Sequence, residues 1–178
     1  MAAYDNLLAN VPTDLWIGGK WKKSSDGARF DVIDPATEQK IASVASASIV
    51  RPGKDATILA LALMVPRALE AAETLKRDHG IDCEVVDVRS LVPLDTQTIL
   101  GSVGRTHRLF TVEENPRLCG WGAEIVSIVA DEAFYDLDGP PVRITTPHIP
   151  LPAADILEDM VLPTADRIVE TVRRSLQS

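Results

Sequence analysis

Long apolar runs, paired cysteines and clustered basic residues are all missing from this sequence of 178 residues, and each absence removes a class of function. No apolar stretch is long enough to span a membrane. The start, Met1-Ala2-Ala3-Tyr4-Asp5, has neither the basic region nor the apolar core of a secretion signal. A cytoplasmic protein is the expectation. The two cysteines, Cys83 and Cys119, have no CxxC spacing and form no disulfide framework. With 18 Lys and Arg against 26 Asp and Glu, the formal net charge is -8, and no basic stripe is present to neutralise phosphates. Nucleic acid and anionic membrane are therefore excluded as expected partners, whereas a basic surface would be attracted. A Walker loop, a His-Glu-x-x-His motif and a Gly-x-Ser-x-Gly elbow are also absent, as are internal repeats.

What remains is ordinary globular material. Hydrophobic residues make up 46% and charged residues 25%, so a core can form without disulfides or metals. The length fits one domain, or one domain with an appendage. Met1 to Ser48 holds five basic and six acidic residues, and the remainder holds 13 and 20. The acidity therefore belongs to the second part.

The first 48 residues read as β-rich. Leu15-Trp16-Ile17 leads through Gly18-Gly19 to Lys20-Trp21, and Ser24-Ser25-Asp26-Gly27 is a turn cluster. Phe30-Asp31-Val32-Ile33 alternates, Asp34-Pro35-Ala36-Thr37 breaks the chain, and Ile41-Ala42-Ser43-Val44 is a last short strand. Strands this few and short bury no core alone and must pack on something else, in cis or in trans.

From Ile49 the style changes to strand and helix in alternation. Strands are expected at Ala56 to Leu63, Asp82 to Val88, Arg108 to Glu113 and Val142 to Thr145. The first has hardly a polar residue, as a strand covered on both faces requires. Helices are expected at Pro66 to Arg77, from Asp95 through Gly104, at Gly122 to Phe134, and from Pro163 onward. This order implies a mostly parallel sheet between helical layers.

Candidate chemistry is sparse. Gly120-Trp121-Gly122-Ala123-Glu124 follows a strand and opens a helix, like a dinucleotide-binding turn. Its third glycine is missing and a carboxylate lies near the phosphate position, so no cofactor is expected there. His79, His107 and His148 are isolated and read as solvated loop residues. Cys83 reads as a buried, inert thiol and Cys119 as a packing residue. Glu113-Glu114 at a strand's carboxyl end suits a surface pair facing a partner as well as it suits catalysis. The helix after Trp121 is apolar over much of its circumference, which fits a core or an interface. A homodimer interface is the expectation, with Glu113, Glu114, Arg117, Trp121, Ile125 and Val129 as its candidates.

Val112-Glu113-Glu114-Asn115-Pro116-Arg117-Leu118-Cys119-Gly120-Trp121-Gly122-Ala123-Glu124 resembles the "EEAPRTGGFGAE" signature of the β subunit of thiamine-diphosphate-dependent 2-oxoacid dehydrogenases. Gly53-Lys54-Asp55-Ala56-Thr57-Ile58 is similar to that family's "GKDVTIV", and Val86-Asp87-Val88-Arg89-Ser90-Leu91-Val92-Pro93-Leu94-Asp95 to its "VIDLRTLSPLD". Leu157-Glu158-Asp159, Leu162-Pro163 and Arg167-Ile168-Val169 resemble its ending. The resemblance implies a transketolase C-terminal-like domain over residues 49–178, three-layer α/β/α with a mostly parallel five-stranded sheet. One strand beyond the four read from the pattern is therefore expected. In that family the domain holds no coenzyme. Thiamine diphosphate and magnesium lie between an alpha subunit and a pyrimidine domain, neither of which this sequence contains. The family's "AYG" reads Ala60-Leu61-Ala62 here and its "TGP" reads Thr145-Thr146-Pro147, so two glycines are lost.

A second resemblance covers residues 1–48. Leu15-Trp16-Ile17-Gly18-Gly19-Lys20-Trp21 and Phe30-Asp31-Val32-Ile33-Asp34-Pro35-Ala36-Thr37 look like the start of a succinate-semialdehyde-type aldehyde dehydrogenase. It implies a short N-terminal β-hairpin appendage fused near Ser46 to Ile49. The expected function is non-catalytic: assembly, dimerisation and docking to an alpha subunit, a pyrimidine-domain chain or an acyltransferase core. The alternative is one part of a split thiamine-dependent oxidoreductase that is active only with partner chains. On a third reading, the N-terminal piece is an oligomerisation tail.

Overall fold

Strand and helix alternate from Ala56 to Thr146 as the pattern requires, and the computed structural model describes residues 12–17, 19–33, 40–150 and 152–177. The breaker at 34–37, Gly18 and the chain start lie outside the described residues. The chain forms two compact units, Met1–Ser48 with Val88–Asp95, and Ile49–Asp87 with Thr96–Ser178.

The smaller unit holds two antiparallel ribbons. β1 (Leu15–Ile17) pairs with β2 (Lys20–Lys22), and β3 (Arg29–Ile33) with β4 (Lys40–Ala45). Asp26 organises the turn before β3. Its carboxylate accepts from Arg89 Nη1 at 3.0 Å, from the Ala28 amide at 3.0 Å and from Ser48 Oγ at 2.9 Å. The Arg89 guanidinium and then the Ala28 amide hold this carboxyl well below the usual range. Asp95, expected as a helix cap, is buried and accepts from the Ala47 amide at 3.0 Å.

The larger unit is built on a five-stranded sheet in the order β5-β7-β6-β8-β9. These strands are β5 (Ser48–Arg51), β6 (Ala56–Ala60), β7 (Cys83–Asp87), β8 (Leu109–Pro116) and β9 (Val142–Thr146). The pairs β6/β7, β6/β8 and β8/β9 are parallel. β5 is the fifth strand that the four-strand pattern misses. Helices α1 (Met64–His79), α2 (Thr96–Thr106), α3 (Trp121–Glu132), α4 (Asp155–Val161) and α5 (Ala165–Leu176) complete the fold. α4 has no counterpart in the sequence-based expectation.

The period of two along each strand gives the sheet two unlike faces. Ala56, Ile58 and Ala60 of β6 join Cys83 and Val85 of β7, Phe110 and Val112 of β8, and Ile144 of β9 in one apolar cluster. α1 supplies Met64, Ala68, Ala71, Ala72 and Leu75 to it, and α5 supplies Ile168 and Val172. The intervening residues, Thr57, Glu84, Thr111 and Glu113, are buried and polar. They find partners on α2 and on neighbouring strands. Thr57 shares hydrogen bonds with Ser102 and Thr106 at 2.7 and 2.6 Å, and Glu84 accepts from Ser102 Oγ at 2.5 Å and Arg105 Nη2 at 2.6 Å. Among the described residues no helix is long and apolar enough to cross a membrane.

Candidate functional site

The polar face of the sheet is most elaborate where β8 ends. Alternation puts Thr111 and Glu113 on the same side of β8, and the register pairs Thr111 with Arg143 of β9. α3 starts above them, with Gly120 extended at its cap. Glu113 is fully buried and its carboxylate is enclosed by donors. Arg143 gives a two-pronged contact, Nε to Oε1 at 2.8 Å and Nη2 to Oε2 at 2.9 Å. Asn115 Nδ2 donates to Oε2 at 3.0 Å, the Gly122 amide to Oε2 at 2.9 Å, and Thr111 Oγ1 to Oε1 at 2.9 Å. Burial alone pushes the Glu113 carboxyl up. The bonds from Arg143, Asn115, Gly122 and Thr111 outweigh it and hold the carboxyl below its ordinary value.

This geometry explains the two glycines. A Cβ at Gly122 would lie 2.2 Å from Glu113 Oε1, and one at Gly120 would lie 2.2 Å from Asn115 Nδ2. In a dinucleotide-binding turn the same close approach admits a pyrophosphate to the helix N-terminus. Here Glu113 is the anion at that place. The residues do not fit a diphosphate, and a carboxylate with both oxygens taken up by donors is no free proton acceptor. Among the described residues, no group of three or more His, Cys, Asp and Glu converges as a metal site.

A second feature lies at the carboxyl ends of β6 and β8. Successive connections carry the chain from β6 to β7 on one side and then past β6 to β8 on the other, so the strand order reverses between β6 and β8. A cleft of about 340 Å³ opens there, lined by Leu61, Ala62, Glu114, Asn115, Pro116 and Trp121. Glu114 Oε1 accepts from the Leu63 amide at 3.1 Å, at the start of α1. Ala62 has φ +51° and Cys119 has φ +58°, the left-handed region that glycine tolerates best. The family signatures quoted above carry glycine at both positions.

The six candidate interface residues separate into two groups. Glu113, Ile125 and Val129 are inside the chain's own core, so they correct the expectation of a surface pair followed by an interface helix. For Glu113 the reason is Arg143, which makes burial of the charge tolerable. Glu114 and Trp121 are half-buried at the cleft, and Arg117 is exposed. Cys83 is buried and its thiol is pushed up to about 12 by desolvation, in line with an inert role. Cys119 is exposed and does not pack. His79 and His148 are exposed; His107 is half-buried, its Nδ1 2.7 Å from the Asp136 carbonyl. Arg143 is a functional residue that no motif in the sequence marks. Its signal was a lone cation between the apolar Val142 and Ile144 of a largely buried strand.

The family model "Transketolase, C-terminal domain" matches residues 45–168. The chain belongs to the transketolase C-terminal domain family. One relative within reach of this domain is the pyruvate dehydrogenase E1 component subunit beta of Leifsonia xyli subsp. xyli (strain CTCB07). It is 48% identical over 128 residues, covering 72% of this chain and 37% of that protein. The mitochondrial pyruvate dehydrogenase E1 component subunit beta of Chaetomium thermophilum is 40% identical over 172 residues, covering 97% of this chain and 43% of the relative. Among solved structures, a protein described as "Split gene transketolase, inactive beta4 tetramer" superposes with a TM-score of 0.63. It is 30% identical and covers 74% of this chain and 41% of its own. The transketolase C-terminal-like chain thus spans less than half the length of each of these. Its three-layer α/β architecture and five-stranded sheet are those expected of the family.

Proposed function

We propose that this chain is a partner-dependent, non-catalytic assembly domain of a 2-oxoacid dehydrogenase β subunit. The observation that carries the reading is Glu113. At the turn most like a coenzyme site, the chain's own carboxylate fills the anion position and spends both oxygens on internal donors. The surface left for assembly includes Arg117 and the exposed Leu118 beside the half-buried Trp121. On this reading the chain forms a homodimer in a cytoplasmic setting and meets an alpha subunit, a pyrimidine-domain chain or an acyltransferase core. Thiamine diphosphate and magnesium would be held between the alpha subunit and the pyrimidine domain, not by this chain. Sedimentation at micromolar concentration should give a dimer, and immobilised chain should retain subunits of a 2-oxoacid dehydrogenase. A monomer that retains none of them would refute the proposal.

The alternative is a split thiamine-dependent oxidoreductase of which this chain is one part. The related split-gene transketolase, inactive as a tetramer of beta chains, favours it. Mixing the chain with alpha and pyrimidine-domain chains separates the readings. A gain in oxoacid decarboxylation supports the split enzyme, and an unchanged rate supports assembly alone. For residues 1–48 we retain the aldehyde dehydrogenase-like fusion as a proposal. Against it stands the alignment with the Chaetomium thermophilum subunit, which runs over 97% of the chain.

A further inference from the structure

We propose that the cleft between the carboxyl ends of β6 and β8 binds a small organic cation, an ammonium or guanidinium carried on an apolar body. The inference does not depend on the assembly reading. Its first support is position. Where strand order reverses in a parallel sheet, the loops leaving the two central strands diverge and open a crevice, the place where α/β domains hold ligands. The cleft, at about 340 Å³, lies within the range of small-molecule sites.

The second support is charge. Glu114 is the one ionisable residue among the described residues of the lining. Its Oε1 is fixed by the Leu63 amide, and its Oε2 takes no donor among the described residues. Among the described residues no Lys, Arg or His forms an ion pair with it. Arg143 is committed to Glu113, and Arg117 makes no ion pair among the described residues and is not part of the lining. The cleft thus presents a held carboxylate with a vacant oxygen, which repels anions and attracts a cation. The walls set the rest of the ligand. Leu61, Ala62 and Pro116 are apolar, and Trp121 offers an indole, the aromatic group that best attracts a cation.

Calorimetric titration of the full chain with phenethylammonium chloride tests this directly. One saturable site is expected, with Kd on the order of 1 mM or tighter. The neutral isostere phenethyl alcohol should bind at least about tenfold more weakly, because it cannot meet the charge. Glu114→Gln keeps an oxygen for the Leu63 amide and removes the charge, so its affinity for the ammonium should fall by about tenfold with an unchanged melting temperature. Trp121→Leu should weaken binding about threefold or more. Absence of a saturable heat, equal binding of ammonium and alcohol, or unaltered affinity in Glu114→Gln would overturn the proposal. A lysine-containing peptide amide that binds more tightly than phenethylammonium would also overturn it, by assigning the cleft to a partner's basic side chain. The wild-type comparison of ammonium with alcohol stands even if a variant fails to fold.

Discussion

Glu113 holds a charge out of contact with water, and five donor atoms replace the hydration it has lost. Removing one partner from such a pair is costlier than never having it, because the other is left buried and unmatched. Glu113→Gln leaves Arg143, whose side chain is 10% exposed, without its counter-charge. We expect a loss of roughly 3 kcal/mol in urea unfolding at pH 7. The pH dependence follows from a folded-state carboxyl held below its unfolded value. Its contribution is complete above the unfolded carboxyl value of about 4.3 and is lost as pH falls through that value towards the folded one. Wild type should therefore lose stability below about pH 4.3 more steeply than Glu113→Gln. Parallel acid limbs would refute this role. Much of this site was legible only in part. The Glu113-Glu114 pair reads as a surface pair facing a partner when taken as neighbours, yet a strand turns adjacent residues to opposite faces. One became an internal anion and the other a cleft wall. Only the partner strand's Arg143, 30 positions away, decides which is inside.

At the scale of elements, α3 shows why an apolar circumference misleads. Ile125 and Val129 face the core, but Ala123, Glu124 and Ser127 face out, so the helix is one-sided once small residues are discounted. Its placement depends on the missing side chain at Gly122. Gly122→Ala would force a Cβ to within 2.2 Å of Glu113 Oε1 and 2.5 Å of Thr111 Oγ1. A loss of about 2 kcal/mol is expected from thermal unfolding. Gly101→Ala in α2 is the control. Its Cβ would meet only Arg105 Nη1, at 3.7 Å, and helix propensity should then raise stability by up to about 1 kcal/mol. If both changes act alike, close approach is not what fixes α3. The elements that the sequence concealed share a cause. β5 is four residues long and lies where composition changes, so it shows no period. α4 exposes Ile156, Leu157 and Met160 and so lacks the buried stripe by which helices are recognised.

For the whole molecule, the change of style at residues 48 and 49 was plain in the sequence, since β-rich segments and strand-helix alternation need different periodicities. The grouping of Val88–Asp95 with the first 48 residues was not. It depends on long-range contacts such as Arg89 with Asp26, which no local pattern encodes. The proposed dimer interface belongs to residues 49–178. Removing residues 1–46 should therefore leave a cooperatively melting sheet domain that still sediments as a dimer. A folded but monomeric product would move the interface to the N-terminal segment and make it an oligomerisation tail.

The two unlike faces of the sheet have a consequence for how the chain finds its pairing. A strand packed between two oily layers can slip by one residue and still bury apolar groups. β8 has no such freedom. A one-residue slip would drive Glu113 into the layer now held by Phe110 and Val112, where apolar neighbours offer its charge no donor. Arg143 would be stranded at the same moment. The charged pair therefore acts as a proofreader of alignment, rejecting misregistered sheets that hydrophobic burial alone would accept.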